Sequence, residues 1–174
     1  MEEVILVDEN DVSTGVMEKI EAHEKAILHR AFSVFIFNSK GEMLLQQRAM
    51  DKYHSAGLWT NSCCSHPRPG EDTLAAASRR LKEEMGFETP LKKVFDFTYK
   101  TSFENGLTEH EFDHVFVGYH DEAIEPDSNE VNSYAYHSMD SIEIMLQTQP
   151  ELFTAWFYIA FPKIMEWWEK NNNN

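Results

Sequence analysis

The sequence predicts one α/β domain spanning residues 1–174, a layered sandwich of a central sheet and helices. Three observations carry that expectation. The length suits a single hydrophobic core and hardly two. The middle of the chain is a series of β-branched and aromatic segments around one helical segment. From about residue 140 onward the pattern turns helical and dense in aromatic side chains.

The elements follow in order. "RAFSVFIF" at 30–37 is β-branched and aromatic, "NSKGE" supplies a turn, and "MLLQQR" at 43–48 completes an expected hairpin. "EDTLAAASRRLKEEMGF" at 71–87 has acidic and Thr residues at its start, alanines within, apolar positions 74, 77, 81 and 85, and Gly86 as its stop, which predicts a helix. "KKVFDFTYKT" at 92–101 and "EHEFDHVFVGYH" at 109–120 alternate as half-buried strands, joined by "SFENGL" with its turn-forming Asn-Gly. "VNSYAYH" at 131–137 reads as a further strand. In the last segment Pro150 suits a first helical turn, whereas Pro162 is expected to break or restart the helix. Residues 171–174 read as a disordered polar tail.

Composition narrows the function classes. With 42% hydrophobic and 26% charged residues the chain falls among ordinary globular proteins. A formal net charge of −15 argues against nucleic acid, whose binders carry basic patches. An anionic ligand would need a local cluster of Lys and Arg, or a divalent cation. The acidic N-terminus has an apolar run too short for a signal peptide or a membrane span, so a cytoplasmic place and no membrane partner are expected. The only cysteines, Cys63 and Cys64, are sequence neighbours and read as reduced thiols.

Several side chains could do chemistry. In a strand, alternate residues share a face, so Glu109 and Glu111 of "EHE" converge while His110 points away. Such a pair more often faces water. Three histidines, His23, His29 and His66, together with those glutamates would suit a divalent metal with nitrogen and oxygen ligands, although spacing alone does not bring them together. Arg79 with Glu83 and Arg80 with Glu84 are ordinary i,i+4 helical pairs by default. A free cysteine is usually a small buried hydrophobe, and Trp156 one core aromatic among many.

The helix also carries a longer pattern. Glu71, Arg79, Leu81, Glu83, Glu84, Gly86 and Phe87 reproduce the spacing of the Nudix box, with Ser65 where the box begins with Gly and Arg80 where a hydrolase has a metal-binding Glu. Together with "TNSCCSHP", "HRAFSVFIF", "EHE" and "FTAWF", this altered box resembles the type I isopentenyl diphosphate isomerases over about residues 4–165. The resemblance implies a Nudix-like α/β/α sandwich with a mixed central β-sheet and C-terminal helices. It implies reversible conversion of isopentenyl to dimethylallyl diphosphate in isoprenoid biosynthesis. It further implies a divalent metal (Mg²⁺, Mn²⁺ or Zn²⁺) on His23, His29, His66, Glu109 and Glu111. Catalytic positions match Cys64, Glu111, Tyr99 and Trp156, and diphosphate-binding cations match Lys19, Arg48, Lys52 and Arg80. Glu84 matches the contact to a second Mg²⁺ that accompanies the substrate. The implied partner is a small allylic or homoallylic diphosphate, acted on by a monomer or weak dimer. Two other readings stand beside it: a Nudix hydrolase of nucleoside diphosphate derivatives, against which Arg80 speaks, and a non-catalytic binding module stabilised by metal.

Overall fold

The computed structural model describes residues 1–172. Its strands are β1 (Glu3–Val7), β2 (Ser13–Glu18), β3 (His29–Phe37), β4 (Glu42–Arg48), β5 (Trp59–Thr60), β6 (Cys63–Ser65), β7 (Lys92–Ser102), β8 (Thr108–Tyr119) and β9 (Val131–Ser138). Its helices are α1 (Lys19–Glu24), α2 (Thr73–Met85), α3 (Met139–Thr148) and α4 (Ala155–Asn172), with a 3-10 turn at Pro150–Leu152. The sheet is mixed: β3 runs parallel to β8 and antiparallel to β1, β4 and β6, while β8 also pairs with β7 and β4 with β9. This is the α/β/α sandwich expected.

Period-two alternation sorts the core onto the two faces. Phe35 and Phe37 of β3, with Met43, Leu45, Val115 and Val117, pack on Ile142 of α3 and on Phe157, Phe161 and Ile164 of α4. The intervening Phe32, Val34 and Ile36 pack with Phe116 on Ala76, Ala77, Leu81 and Met85 of α2. Helix α2 starts at Thr73 because the Asp72 side chain accepts from the Ala75 amide, and it ends at Met85 because Gly86 takes a left-handed conformation. The stop expected at Gly86 is therefore observed, and the helix begins two residues after the Glu71 that opens the sequence pattern.

The expected hairpin is corrected. The turn forms, but Phe37 and Met43 are the single residue pair that β3 and β4 share. The strands then diverge because the segment after β5 drives side chains between them. Ser62 Oγ accepts from the Ile36 amide at 2.9 Å and donates to the Leu44 carbonyl at 2.7 Å. Asn61 donates to the Val34 carbonyl at 3.0 Å. These side chains replace the missing ladder bonds, so the backbone groups stay satisfied while the sheet opens.

Three other expectations change. A β1–β2 hairpin precedes the first predicted strand. Pro162 lies inside a continuous α4, where burial of Phe157, Phe161 and Ile164 around it offsets the roughly 3 kcal/mol that an interior proline costs. Asn171 and Asn172, placed in the polar tail by sequence, extend α4, and residues 173–174 lie outside the described residues. Among the described residues no helix is long and apolar enough to cross a membrane.

Gly86 supplies a direct test of the α2 terminus. Its φ is +79°, and a Cβ there would lie 2.2 Å from the Glu125 carbonyl oxygen. Gly86→Ala is expected to lower unfolding free energy in urea by at least about 1–3 kcal/mol, the cost of a left-handed non-glycine residue, with the close contact adding to it. An unchanged midpoint would contradict this.

Candidate active site and metal centre

Three adjacent strands lay the site out in a row. Tyr99 of β7 pairs with Glu111 of β8, and Glu111 pairs with His29 of β3. Further along β3, Ser33 pairs with Cys64 of β6. The alternation within β6 buries Cys63 in the α2 core and turns Cys64 to the opposite side, where it lines a cavity of about 470 Å³.

His23, His29, His66 and Glu111 offer ligand atoms that all lie within 4.8 Å of one another. His66 comes from the loop after β6, and His23 from α1. The His23 and His29 rings are oriented by their own backbones. His23 Nδ1 donates to the Lys19 carbonyl at 2.6 Å, and His29 Nδ1 to the Ile27 carbonyl at 2.8 Å. Each ring thus turns its Nε2 away from its own backbone, and among the described residues these two buried atoms have no hydrogen-bond partner. Buried, unpartnered ring nitrogens beside a carboxylate, with the far ring nitrogens committed to carbonyls, are what a divalent cation requires. The group fits a metal. Glu109, expected as a fifth ligand, lies outside the group of four: its Oε1 is 3.5 Å from His54 Nε2, and its Oε2 accepts from the Tyr99 hydroxyl at 2.9 Å.

Burial sets the protonation of the cluster. Desolvation lowers His23 to about 4 and lowers His66 as well, keeping both neutral and able to ligate near pH 7. Burial alone would raise Glu111, but the His29 and His66 rings beside it outweigh that and hold it well below the usual carboxylate range. Glu109 goes the other way, raised by burial and by the Glu111 charge. Tyr99 sits between them, 2.9 Å from Glu109 and 2.7 Å from Glu111. Cys64 is pushed up by burial, so it rests as a thiol.

All four predicted cations, Lys19, Arg48, Lys52 and Arg80, line the same cavity, as do Trp156 and Glu84. Three of the cations are held by carboxylates. Lys19 pairs with Glu2 at 2.6 Å, Lys52 with Glu130, and Arg80 with Glu83 at 2.7 Å and Glu84 at 2.6 Å. Arg48 instead lies over the Trp156 ring, 5.2 Å from its centroid. The second oxygen of Glu84 accepts from Gln46 at 3.0 Å. Arg79 forms a double hydrogen bond to Glu71, tying α2 to the loop that precedes it.

Sequence reasoning missed several residues that the fold brings here. His54, lowered to about 3 by burial, stacks on Phe103 and meets Trp156 edge-on. No periodicity marks it, because it lies in a loop. Ser33 and Asp113 were legible in principle: each is two or four residues along its strand from a named site residue, on the same face.

Comparisons with known proteins give the family and the fold. The NUDIX domain family matches residues 27–157. A Pectobacterium atrosepticum protein named "Isopentenyl-diphosphate Delta-isomerase" is 55% identical over 167 residues, covering 96% of this chain and 93% of its own. A Serratia proteamaculans protein of the same name is 51% identical, covering 90% and 87%. Among solved structures, a Deinococcus radiodurans protein superposes with a TM-score of 0.71 at 18% identity over 85% of this chain and 90% of its own. The MutT protein from Methanosarcina mazei superposes at 0.66 and 21% identity over 80% and 94%. The structural likenesses speak for the fold alone.

A divalent ion that binds the four-residue group should stabilise the chain by about 2.7 kcal/mol at a hundredfold excess over its dissociation constant, read as a rise in melting temperature. His29→Ala with Glu111→Gln should abolish the rise. Acid should weaken it too: a metal competes with protons for His23, whose depressed value moves the loss of the ion down from about 6.5 towards about 4. Without metal, the same depression makes the unfolded chain bind more protons in that window. Metal-free stability therefore falls as pH drops through it.

Proposed function

Given that the chain belongs to the isopentenyl-diphosphate Delta-isomerases, enzymes built on a NUDIX domain, we propose that it interconverts isopentenyl and dimethylallyl diphosphate with Cys64 and Glu111 handling protons on opposite faces of the allyl unit. The chain is an isomerase of isoprenoid biosynthesis. The observation that carries the assignment of roles is that Cys64 and Glu111, from β6 and β8, open into one cavity with four cations on its wall.

The reaction adds a proton to the terminal alkene carbon and removes one from the carbon two positions away, with cationic character at the tertiary carbon between. An alkene is a poor base, so the acid must be close and dry. A neutral Cys64 thiol and an ionised Glu111 are an acid and a base as they stand, and each serves the opposite sense in the reverse reaction. Tyr99 orients the Glu111 carboxylate through its 2.7 Å hydrogen bond. Trp156, 4% exposed, supplies a π face worth about 0.5–2 kcal/mol to a cation while adding no nucleophile.

His23, His29, His66 and Glu111 would hold the divalent ion, and its charge would set the proton affinity of Glu111. Mg²⁺, Mn²⁺ and Zn²⁺ all accept such a donor set. Lys19, Arg48, Lys52 and Arg80 take the diphosphate in exchange for the carboxylates that pair three of them, and Glu84 is placed for a Mg²⁺ brought with the substrate. One copy carries every residue named, so a cytoplasmic monomer or weak dimer suffices.

Arg80 also separates this reading from hydrolysis. It puts a cation, paired with Glu84, where the box of a hydrolase carries a metal-binding carboxylate.

Proton NMR of isopentenyl diphosphate with the metal-loaded protein in heavy water should show dimethylallyl signals with deuterium incorporated. Cys64→Ala and Glu111→Gln should each lower turnover by about 10²–10⁴-fold, the usual contribution of a positioned acid or base. Lys52→Ala should instead raise KM by roughly tenfold or more, the loss of one charged hydrogen bond. Full turnover in Cys64→Ala would contradict the assignment.

A further inference from the structure

Behind Ser33, which lines the cavity, lies a buried carboxyl group that the chemistry above does not use. Asp113 is 2% exposed, and its Oδ1 has no hydrogen-bond partner. Burying a half-satisfied carboxyl is costly, so a group kept there calls for a reason. Its Oδ2 accepts from the Ser33 hydroxyl at 2.7 Å, and Ser33 Oγ is 3.5 Å from Cys64 Sγ. We propose that Asp113 is a positioning residue for the isomerase reaction, acting through Ser33 to fix the hydroxyl that faces the Cys64 sulfur; this rests on the role given to Cys64 above.

Among the described residues the sulfur has two hydrogen-bond partners, and they are not equivalent. Cys64 Sγ donates to Asn61 Oδ1 at 3.0 Å. The Asn61 amide nitrogen is committed to the Val34 and Cys63 carbonyls, each at 3.0 Å, so Asn61 offers the sulfur an acceptor and no donor. That acceptor suits the thiol and does nothing for the sulfur once its proton has gone to substrate. Ser33 is the remaining neighbour; its one proton is given to Asp113, so it turns a lone pair to the sulfur and can accept from the thiol beside Asn61. Among the described residues the one other side-chain partner of Ser33 is Asp113. A hydroxyl held by Asp113 stays within reach of the sulfur; a hydroxyl without that partner turns freely.

The placement follows from strand geometry. Ser33 and Cys64 are directly paired across β3 and β6, and Asp113 pairs with Ala31, one step along the same face. The three side chains therefore form a line beneath the cavity from β8 through β3 to β6, separate from the residues that face the diphosphate.

The test compares Asp113→Ala, Ser33→Ala, their double variant and Asp113→Asn in the metal-loaded enzyme, with melting curves to establish folding. Asp113→Ala and Ser33→Ala should each lower kcat by roughly tenfold with KM within about twofold. Since Asp113 acts through Ser33, the double variant should lie no lower than Ser33→Ala. Asp113→Asn, which keeps an acceptor oxygen towards Ser33, should restore most of the lost turnover. In parallel, the rate at which iodoacetamide alkylates Cys64, located by mass spectrometry, should shift in both single Ala variants and return towards the original in Asp113→Asn. Should Asp113→Ala not fold, Asp113→Val, apolar and β-branched in a strand, carries the same comparison. Multiplicative losses in the double variant, a rise in KM in place of the fall in kcat, or an alkylation rate indifferent to Asp113 would overturn the proposal. Cys64→Ala separates the two failures: its retaining turnover would overturn the catalytic role of Cys64, whereas an inactive Cys64→Ala beside a fully active Asp113→Ala would overturn the positioning role alone.

Discussion

The parallel pairing of β3 with β8, with His29 opposite Glu111, sets the positions of nearly every group in the site. From that register, Tyr99 on β7 falls beside Glu111, and Ser33 falls beside Cys64 on β6. A slip of one residue would turn His29 and Ser33 to the other face and bring Phe32 and Val34 into the cavity. The core guards against the slip, since the same shift would exchange the residues that pack on α4 with those that pack on α2. Site and core are thus held by one alternation. The register needs an opening beside it, which the Asn61 and Ser62 side chains create by separating β3 from β4 while satisfying the backbone they interrupt.

Electrostatics then divides the cavity. At the metal end of the cavity, burial removes charge from the His23 and His66 imidazoles, while the rings beside Glu111 hold its carboxylate ionised against burial, as a cation requires. At the Lys19, Lys52 and Arg80 end, a protein of formal net charge −15 keeps its cations occupied by Glu2, Glu130 and Glu84. A diphosphate entering there exchanges with carboxylates and so meets cations that are already desolvated and aligned. The exchange limits the cost of collecting like charges before the substrate arrives.

Much of this was legible in the sequence, for reasons that differ by residue. Period-two spacing put Glu109 and Glu111 on one face, and the spacing from Glu71 to Phe87 marked a helix whose Arg80 and Glu84 reach the cavity. Convergence of His23, His29 and His66 was not readable from spacing, because α1, β3 and the loop after β6 meet only through the sheet register. The resemblance to a known family supplied what periodicity could not. The β3–β4 hairpin was misjudged because a turn signal says nothing about side chains that later wedge between the strands. His54 escaped notice because loops carry no periodicity. Pro162 was judged by its local cost, which buried aromatic neighbours offset.

The central claim is a division of labour: three histidines and Glu111 hold the metal, and Cys64 stays free to handle a proton. X-ray absorption spectroscopy of the zinc-loaded protein tests it most directly. The account predicts nitrogen and oxygen neighbours alone at about 2.0–2.2 Å, with the outer scattering of imidazole rings. A sulfur neighbour at about 2.3 Å would place Cys64 on the metal and contradict the account.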